Sequence, residues 1–350
     1  MPIDWPTWLA QAGANLTDDS VQDFGDPASE RQAALESDIL ADLSHYGLIS
    51  ATGTDVTAFL QGQFTCDCRQ VSAGRSHLAG YCSPLGRLLA CLRLFRRGDA
   101  LWLRLPRERL DPVLRRLRMF VLRADATLVD ASGALAGFGC AGPGLAERLA
   151  SLLGRYPDAM DEVVTAESVT CIRVPGKLPR FELYGPGDAL QPLWQTLAAQ
   201  AQPVGYDAWR LGGIRAGIPE IYTATQDRFV PQMVDLDRFG AIAFDKGCYV
   251  GQEIVARTRY LGRLKRHLYR LRLATDTRPQ PDTPFYAPTL RGDQEVGRIV
   301  EAVPAPEGGH EALAVLVTEC TGEHGAALRY ADPAGPGVEW LERSGAPASG

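Results

Sequence analysis

Two stretches of alternating apolar and polar positions, spaced by 80 residues, organise the middle of the chain. "CLRLFRRGDALWLRLPRERLDPVLRRL" (91–117) lies over "CIRVPGKLPRFELYGPGDALQPLWQTL" (171–197) without a gap. Cys91 meets Cys171, Arg93 meets Arg173, Leu103 meets Leu183, Leu110 meets Leu190 and Leu117 meets Leu197. Two prolines match as well, Pro106 with Pro186 and Pro112 with Pro192. In each copy the period-two pattern predicts two strands joined by a turn, and a proline then opens a helix. "LISATGTDVTAFLQGQF" (48–64) and "LAGFGCAGPGLAERLASLL" (135–153) predict a strand and a helix ahead of each pair, with Gly-Thr-Asp and Gly-Pro-Gly as the turns. The repeating unit is therefore strand, helix, strand, strand, helix, used twice. That is an α+β arrangement with helices on one face of an antiparallel sheet.

The flanks read differently. Residues 1–35 include "DDSVQDFGDPASERQ", polar and broken by Gly and Pro, which predicts an N-terminal arm. The two lobes take up 36–260. From 261 to 340 short alternating runs such as "RHLYRLRLA", "QEVGRIVEAVP" and "HEALAVLVTEC" are split by Pro and Gly, with no segment of helical period. They predict a small all-β barrel or sandwich. Residues 341–350, ending in "RSGAPASG", predict a disordered tail.

Composition narrows the class. The 350 residues are 45% apolar and 22% charged, enough for two or three ordinary domains. A net charge of −6 argues against broad nucleic-acid binding. No basic-then-apolar leader and no membrane-length apolar run appears, so a cytoplasmic protein without a membrane span is expected. Eight cysteines are scattered along the chain and read as reduced thiols, mostly small core residues. Cys66 and Cys68 form Cys-Asp-Cys, no Cys-x-x-Cys pair exists, and the five histidines lack ligand spacing, so no metal site is predicted.

One stretch concentrates chemistry: "FDKGCYVGQEIVARTRYLGRLKR", Phe244 to Arg266. Helix formers from Gln252 to Thr258 place Cys248 at or just before a helix N-terminus, where orphan amides favour a thiolate. Lys246 sits two residues away. At roughly 7 Å its attraction is about 2.4 kcal/mol for an effective dielectric near 20 and about 0.6 kcal/mol in water, so alone it lowers the thiol pKa by less than two units. The alternative is a buried thiol beside a solvent-facing lysine. Gly247 and Gly251 within five residues imply close approach by another group. Arg257, Arg259, Arg263, Lys265, Arg266, Arg270 and Arg272 follow, either a solvated face or a patch for an anionic ligand.

"KGCYVGQE" (246–253) resembles the hallmark motif of the YgfZ family, folate-binding proteins related to the T-protein of the glycine cleavage system. "FLQGQFTCDC" (59–68), "YCSPLGRLLACLRLF" (81–95) and "WRLGGIRAGIPEI" (209–221) resemble three further segments of that family, and the likeness covers roughly residues 38–275. It implies two intertwined, duplicated ferredoxin-like α+β lobes and a C-terminal all-β barrel, set as a three-domain ring around a channel. It implies tetrahydrofolate as ligand and a role in making or maintaining iron–sulfur proteins, including enzymes that thiolate tRNA, so that any link to tRNA is indirect. Carried over by position, Cys248 is the reactive cysteine and Lys246 its companion. Tyr249, Gln252 and Glu253 complete the motif. Arg215 and Gly217 fall on the segment facing the folate, and Gln61, Gln63 and Arg257 join them as folate-binding candidates.

The related aminomethyltransferases carry an Asp pair where this chain has Ala90 and Cys91, and a Glu where it has Arg215. Without that carboxylate no group assists ammonia-releasing transfer. The resemblance thus implies an accessory factor rather than a turnover transferase. Folate-dependent aminomethyl transfer is one alternative, and a tRNA-binding module acting through the Arg257–Arg272 run is another.

Overall fold

The two matched registers fold alike in the computed structural model, which describes residues 3–18, 20–260, 264–321 and 327–343. Before them come helix α1 (Trp5–Gln11), a hairpin of β1 (Asn15–Thr17) and β2 (Ser20–Asp23), helix α2 (Pro27–Glu36) and strand β3 (Ile39–Asp42). The first copy runs β4 (Tyr46–Thr52), α3 (Val56–Gln61), β5 (His77–Cys82), β6 (Leu88–Arg97), β7 (Ala100–Pro106), α4 (Arg107–Val121) and β8 (Thr127–Asp130). The second runs β9 (Ala136–Ala141), α5 (Leu145–Leu153), β10 (Val163–Ala166), β11 (Val169–Arg173), β12 (Arg180–Gly185), α6 (Gly187–Ala198) and β13 (Gln202–Val204). Each copy thus holds two strands more than the pattern predicted. β5 is buried along its whole length, β8 and β10 have four residues each, and β13 is three residues around a proline, so alternation or length fails to mark them.

The sheets make the duplication visible. One has the order β5-β6-β7-β4-β8 and the other β10-β11-β12-β9-β3-β13. They correspond strand for strand except that β3, from ahead of the first copy, pairs antiparallel with β9 (Ile39↔Ala141) and parallel with β13 (Gln202↔Ile39). A strand from before one copy inside the sheet of the other is the intertwining that the family resemblance implied. Both matched helices carry their prolines at the same places: Pro106 and Pro186 at the N-cap, and Pro112 and Pro192 on the sixth residue.

By packing the chain resolves into two compact units, each gathered from separate stretches. The first comprises Met1–Gln61, Cys68–His77 and Leu92–Gly212, the second Gly62–Asp67, Leu78–Cys91 and Gly213–Gly350. This replaces the expected division at 260. Alternation shows where strands lie but not which of them share a core.

The N-terminal arm is not an arm. Trp5 and Leu9, one turn apart on α1, are buried with Val21, Phe138, Phe181 and Trp194 in a core of the first unit. The Trp5 indole also donates to Asp42 Oδ1 at 3.0 Å. α2 begins at Pro27 behind Asp26, whose side chain accepts from Ser29 N. One large aromatic and one leucine anchor this stretch.

The same unit buries a cluster of guanidinium groups. Arg104 lies 3.8 Å from the Tyr46 ring centroid and 3.5 Å from Glu182 Oε2. Arg180 stacks 3.6 Å over Trp209 and donates to its carbonyl at 2.9 Å, and Arg210 donates to Tyr46 Oη at 3.0 Å. Burial, then Arg210, pushes Arg180 down to about 10. His45, whose Nε2 is buried without a hydrogen-bond partner, is held well below the usual histidine value by burial and by Arg210, Arg104 and Arg180.

In the second unit lie helices α7 (Tyr206–Ala216, from Gly213 on) and α8 (Gln252–Tyr260) and the C-terminal strands. These are β14 (Arg266–Leu273), β15 (Pro284–Tyr286), a single turn α9 (Pro288–Arg291), β16 (Glu295–Pro304), β17 (His310–Val317), β18 (Arg329–Tyr330) and β19 (Val338–Arg343). The all-antiparallel order β18-β15-β16-β17-β14-β19 curls as a half-barrel around Tyr269, Leu271, Phe285, Ile299 and Leu316. Leu341 to Arg343, within the expected tail, belong to β19. Residues 344–350 lie outside the described residues.

Candidate functional site

The site is assembled by three of the four segments that carry the family resemblance. Gly62–Cys66 runs between β5 and the stretch that leads to α8. Thr65 N donates to Gly80 O at 3.0 Å, Ala243 N to Thr65 O at 2.9 Å, and Val250 N to Gly62 O at 3.3 Å. The Thr65 hydroxyl donates to Ala241 O and accepts from Gly80 N at 2.8 Å. Five hydrogen bonds of backbone and hydroxyl groups fix 62–66 in this slot.

Lys246 locks the slot. It is only 8% exposed, and its Nζ donates to Phe64 O and Cys66 O at 2.7 Å each, with the Tyr249 ring centroid 5.0 Å away. The ammonium is therefore spent on backbone carbonyls and an aromatic face, not held out toward a thiol. Cys248, by contrast, is exposed, while the other seven cysteines are buried. This inverts the alternative of a buried thiol beside a solvent-facing lysine. Cys248 precedes the first residue of α8 by four positions.

Tyr249 is buried, and burial followed by the nearby Cys82 pushes its hydroxyl up. Cys82 is itself pushed up to about 12 by burial and by Asp227, so it stays a thiol. Gln252 closes the turn before α8. Its Oε1 accepts from Tyr249 N at 3.3 Å while its own N donates to Tyr249 O at 3.1 Å, the reciprocal pairing of a capping box. Glu253 is exposed in the first turn, where a carboxylate suits the helix dipole.

The two motif glycines differ. Gly251 has φ +83°, and a Cβ there would stand 2.5 Å from Ser83 O and 2.8 Å from Gly86 Cα. Gly86 has φ +67°, and its Cβ would reach 2.7 Å from Ile254 Cβ. So the tight turn between β5 and β6, closed by Gly86 N to Ser83 O at 2.9 Å, seats backbone to backbone on the start of α8. Gly247 has open space around it. The close approach inferred from the glycine pair is by this turn, and it needs only one of the two. Ser83 Oγ then donates to Asp227 Oδ1 at 2.7 Å, and Leu88 and Asp227 exchange with residues 227–229 through Leu88 N to Phe229 O and Asp227 N to Leu88 O, both 2.8 Å. Ser83, Gly86 and Asp227 were not singled out from the sequence. The Ser-Pro-Leu-Gly turn was the signal available for the first two.

Other expected ligand residues have structural work. Arg215 forks onto Glu311, with Nε 3.0 Å from Oε1, and Arg270 reaches Oε2 of the same carboxylate at 2.8 Å. Gly217, at φ +73°, ends α7 while Ile218 N donates to Gly213 O. Gln61 belongs to the first unit, where its Oε1 accepts from Cys68 N at 2.7 Å. Gln63 fits better. It is 8% exposed and its Oε1 is buried with no hydrogen-bond partner among the described residues.

The basic run does not form one patch. Arg270 is taken by Glu311 and Glu342, and Arg272 donates to Glu307 O at 2.8 Å. Arg263 lies outside the described residues. Arg257 and Arg259 remain exposed on α8, with Arg259 stacked 4.2 Å over Phe244 and 6.0 Å over Tyr260. An open depression of about 370 Å³ is lined there by Ile242, Ala243, Phe244, Arg259 and Tyr260, with two aspartates, Asp237 and Asp245. A larger cavity of about 560 Å³ in the first unit touches none of the residues named for the site. Ala90 and Cys91, on β6, are both buried. Among the described residues no group of three or more His, Cys, Asp or Glu side chains could hold a metal ion.

Relatives share this sequence over most of its length. tRNA-modifying protein YgfZ of Edwardsiella ictaluri is 31% identical over 287 residues, covering 82% of this chain and 86% of that protein. The YgfZ protein of Pectobacterium carotovorum is 30% identical over 290 residues, covering 83% and 87%. This chain belongs to the YgfZ family. The YgfZ protein of Colwellia psychrerythraea agrees at 28% over 287 residues. No family model matches the sequence. Among solved structures, glycine cleavage system aminomethyltransferase T from Bartonella henselae superposes with a TM-score of 0.79 at 15% identity, covering 97% of this chain and 96% of that one. YgfZ and aminomethyltransferase T thus share a fold, and at that identity the likeness carries the fold alone.

Proposed function

We propose that this YgfZ chain binds a reduced folate, tetrahydrofolate, and serves the synthesis or repair of iron–sulfur enzymes, among them those that thiolate tRNA, with Cys248 as its reactive group. The observation that carries the reading is the contrast of cysteines: one exposed thiol in a chain whose other seven are buried, borne by a stretch that Lys246 ties to Phe64 O and Cys66 O. A thiol kept only for packing has no reason to face solvent.

The folate reading rests on fit. Gln63 offers a buried acceptor that needs a donor, and an aminopteridine presents such donors. Arg257 and Arg259 suit the glutamyl carboxylates. Bound there, the folate would supply a one-carbon carrier. The chain's own residues would hold it: Gln63 would accept from the ring edge and Arg257 and Arg259 would take the tail, while Tyr249 stays protonated. Aminomethyl transfer is disfavoured by Ala90 and Cys91, which put no carboxylate on β6. The relatives' name links YgfZ to tRNA modification, and we assign that link to the client enzymes, since the chain's net charge of −6 does not favour nucleic-acid binding.

Three measurements test this. Iodoacetamide modifies one cysteine in the native chain and eight after denaturation, and Cys248→Ser abolishes the native labelling. Fluorescence titration shows saturable quenching by tetrahydrofolate that Gln63→Leu weakens. In cells, Cys248→Ser keeps the thermal transition but lowers iron–sulfur enzyme activity and tRNA thiolation to the level of a deletion. Full rescue by the serine variant would reduce the thiol to surface decoration, and the absence of quenching at millimolar folate would remove the ligand.

A further inference from the structure

The cavity of about 560 Å³ in the first unit differs in character between wall and mouth. Trp5, Leu43, Tyr46, Leu48, Leu135 and Tyr184 line it and are all buried. The exposed part of its lining carries Asp4, Asp18, Asp188 and Arg107. Leu48 and Leu135 open the matched lead-ins of the two copies. Arg107 and Gly187, also in the lining, are the first residues of α4 and α6. The same ends of the two copies thus meet here. Packing faults inside proteins rarely exceed the size of a water molecule. This space instead falls in the ~300–1,000 Å³ of small-ligand sites, which have apolar walls and a few convergent polar groups.

Charge chooses the ligand. Three carboxylates and one guanidinium stand at the mouth, a balance that opposes an anion. Nor is a metal ion the occupant. Among the described residues no group of three or more His, Cys, Asp or Glu side chains could hold one, so the three aspartates are spread around the opening rather than gathered at a point. Positive charge lies on the other side of the wall. Arg104 stacks over the Tyr46 ring and Arg210 donates to its hydroxyl, and neither arginine lines the cavity. Cations behind Tyr46 and carboxylates at the mouth orient a bound molecule one way, with its apolar body inward and its positive charge outward.

We infer that this cavity binds a small organic ammonium compound, its hydrocarbon or aromatic body against Trp5, Leu48, Leu135 and Tyr184 and its ammonium among Asp4, Asp18 and Asp188. The inference is independent of the folate reading, whose candidates Gln63, Arg257 and Arg259 belong to the second unit.

The test titrates the full chain, its tryptophan indoles isotopically labelled for NMR, with four probes: phenethylamine, hexylamine, phenethyl alcohol and hydrocinnamate. The reporter is the Trp5 indole N–H, which lines the cavity, donates to Asp42 Oδ1 at 3.0 Å and is assigned with Trp5→Phe. At least one amine is expected to shift that resonance saturably by about 10 mM, enough to fill a site of millimolar Kd. Phenethyl alcohol binds more weakly than phenethylamine, and hydrocinnamate does not bind. Asp18→Asn combined with Asp188→Asn weakens the amine about fivefold and leaves the alcohol unchanged. Asp18 sits at φ +49°, a conformation that asparagine accepts, so the fold tolerates that change. Should the double variant fold poorly, salt decides: added sodium chloride weakens the amine and not the alcohol. The inference is overturned if neither amine moves the Trp5 resonance, if hydrocinnamate binds as tightly as phenethylamine, or if the amine keeps its affinity in the folded double variant. An equal response of amine and alcohol to salt overturns it as well.

Discussion

Lys246 and Cys248 sit two positions apart and have opposite fates, one buried on two carbonyls and the other in solvent. The lysine ties its own loop to the 64–66 backbone. Lys246→Met is expected to lose about 2–4 kcal/mol, because two charge-assisted hydrogen bonds go and two buried carbonyls are left bare. Urea unfolding measures this, and the native alkylation rate of Cys248 should rise as the slot loosens. The sequence pointed to both residues but could not show which way each side chain turned. Spacing sets the reach of a lysine, while the acceptors it finds, Phe64 O and Cys66 O, come from a segment 180 residues earlier. Arg215 illustrates the same gap. Its position in the chain was legible, its partner Glu311 was not, since that pairing is a product of tertiary packing.

At the scale of elements the glycine pair gives a sharp contrast. Gly251→Ala forces a side chain onto Ser83 O and Gly86 at a positive φ, and is expected to cost about 2 kcal/mol or more. Gly247→Ala meets nothing and should stay within about 0.5 kcal/mol of the parent. Thermal unfolding of the two variants side by side checks it. Strands and helices of the two copies were largely readable because their apolar positions repeat in register. β5 escaped because it is buried along its whole length and shows no alternation, β8, β10 and β13 because they are short, and α1 because it is a seven-residue helix opened by a proline and followed by polar sequence.

For the molecule as a whole, the buried guanidinium cluster sets a pH limit. His45 has its folded pKa depressed below the ordinary 6.5 by burial and by Arg210, Arg104 and Arg180. The unfolded chain therefore binds a proton that the folded one refuses, and stability declines as the pH is lowered through 6.5. The slope from one such group is at most about 1.4 kcal/mol per pH unit. Urea midpoints between pH 7.5 and 5.5 should fall on acidification, and His45→Gln should flatten the fall. Duplication at an offset of 80 was plain in the sequence. That the chain gathers its two units from alternating stretches was not, because apolar periodicity carries no information about which strands share a core.

That alternation limits how the gene can be shortened. A stop codon after Gly212 would not release an intact front half, since Gly62–Asp67 and Leu78–Cys91 would be translated with no neighbours to pack on. Expressing 261–340 alone would omit both loops as well as α8. Fragment expression, circular permutation and chimeras with aminomethyltransferase T should therefore swap three chain segments together or none.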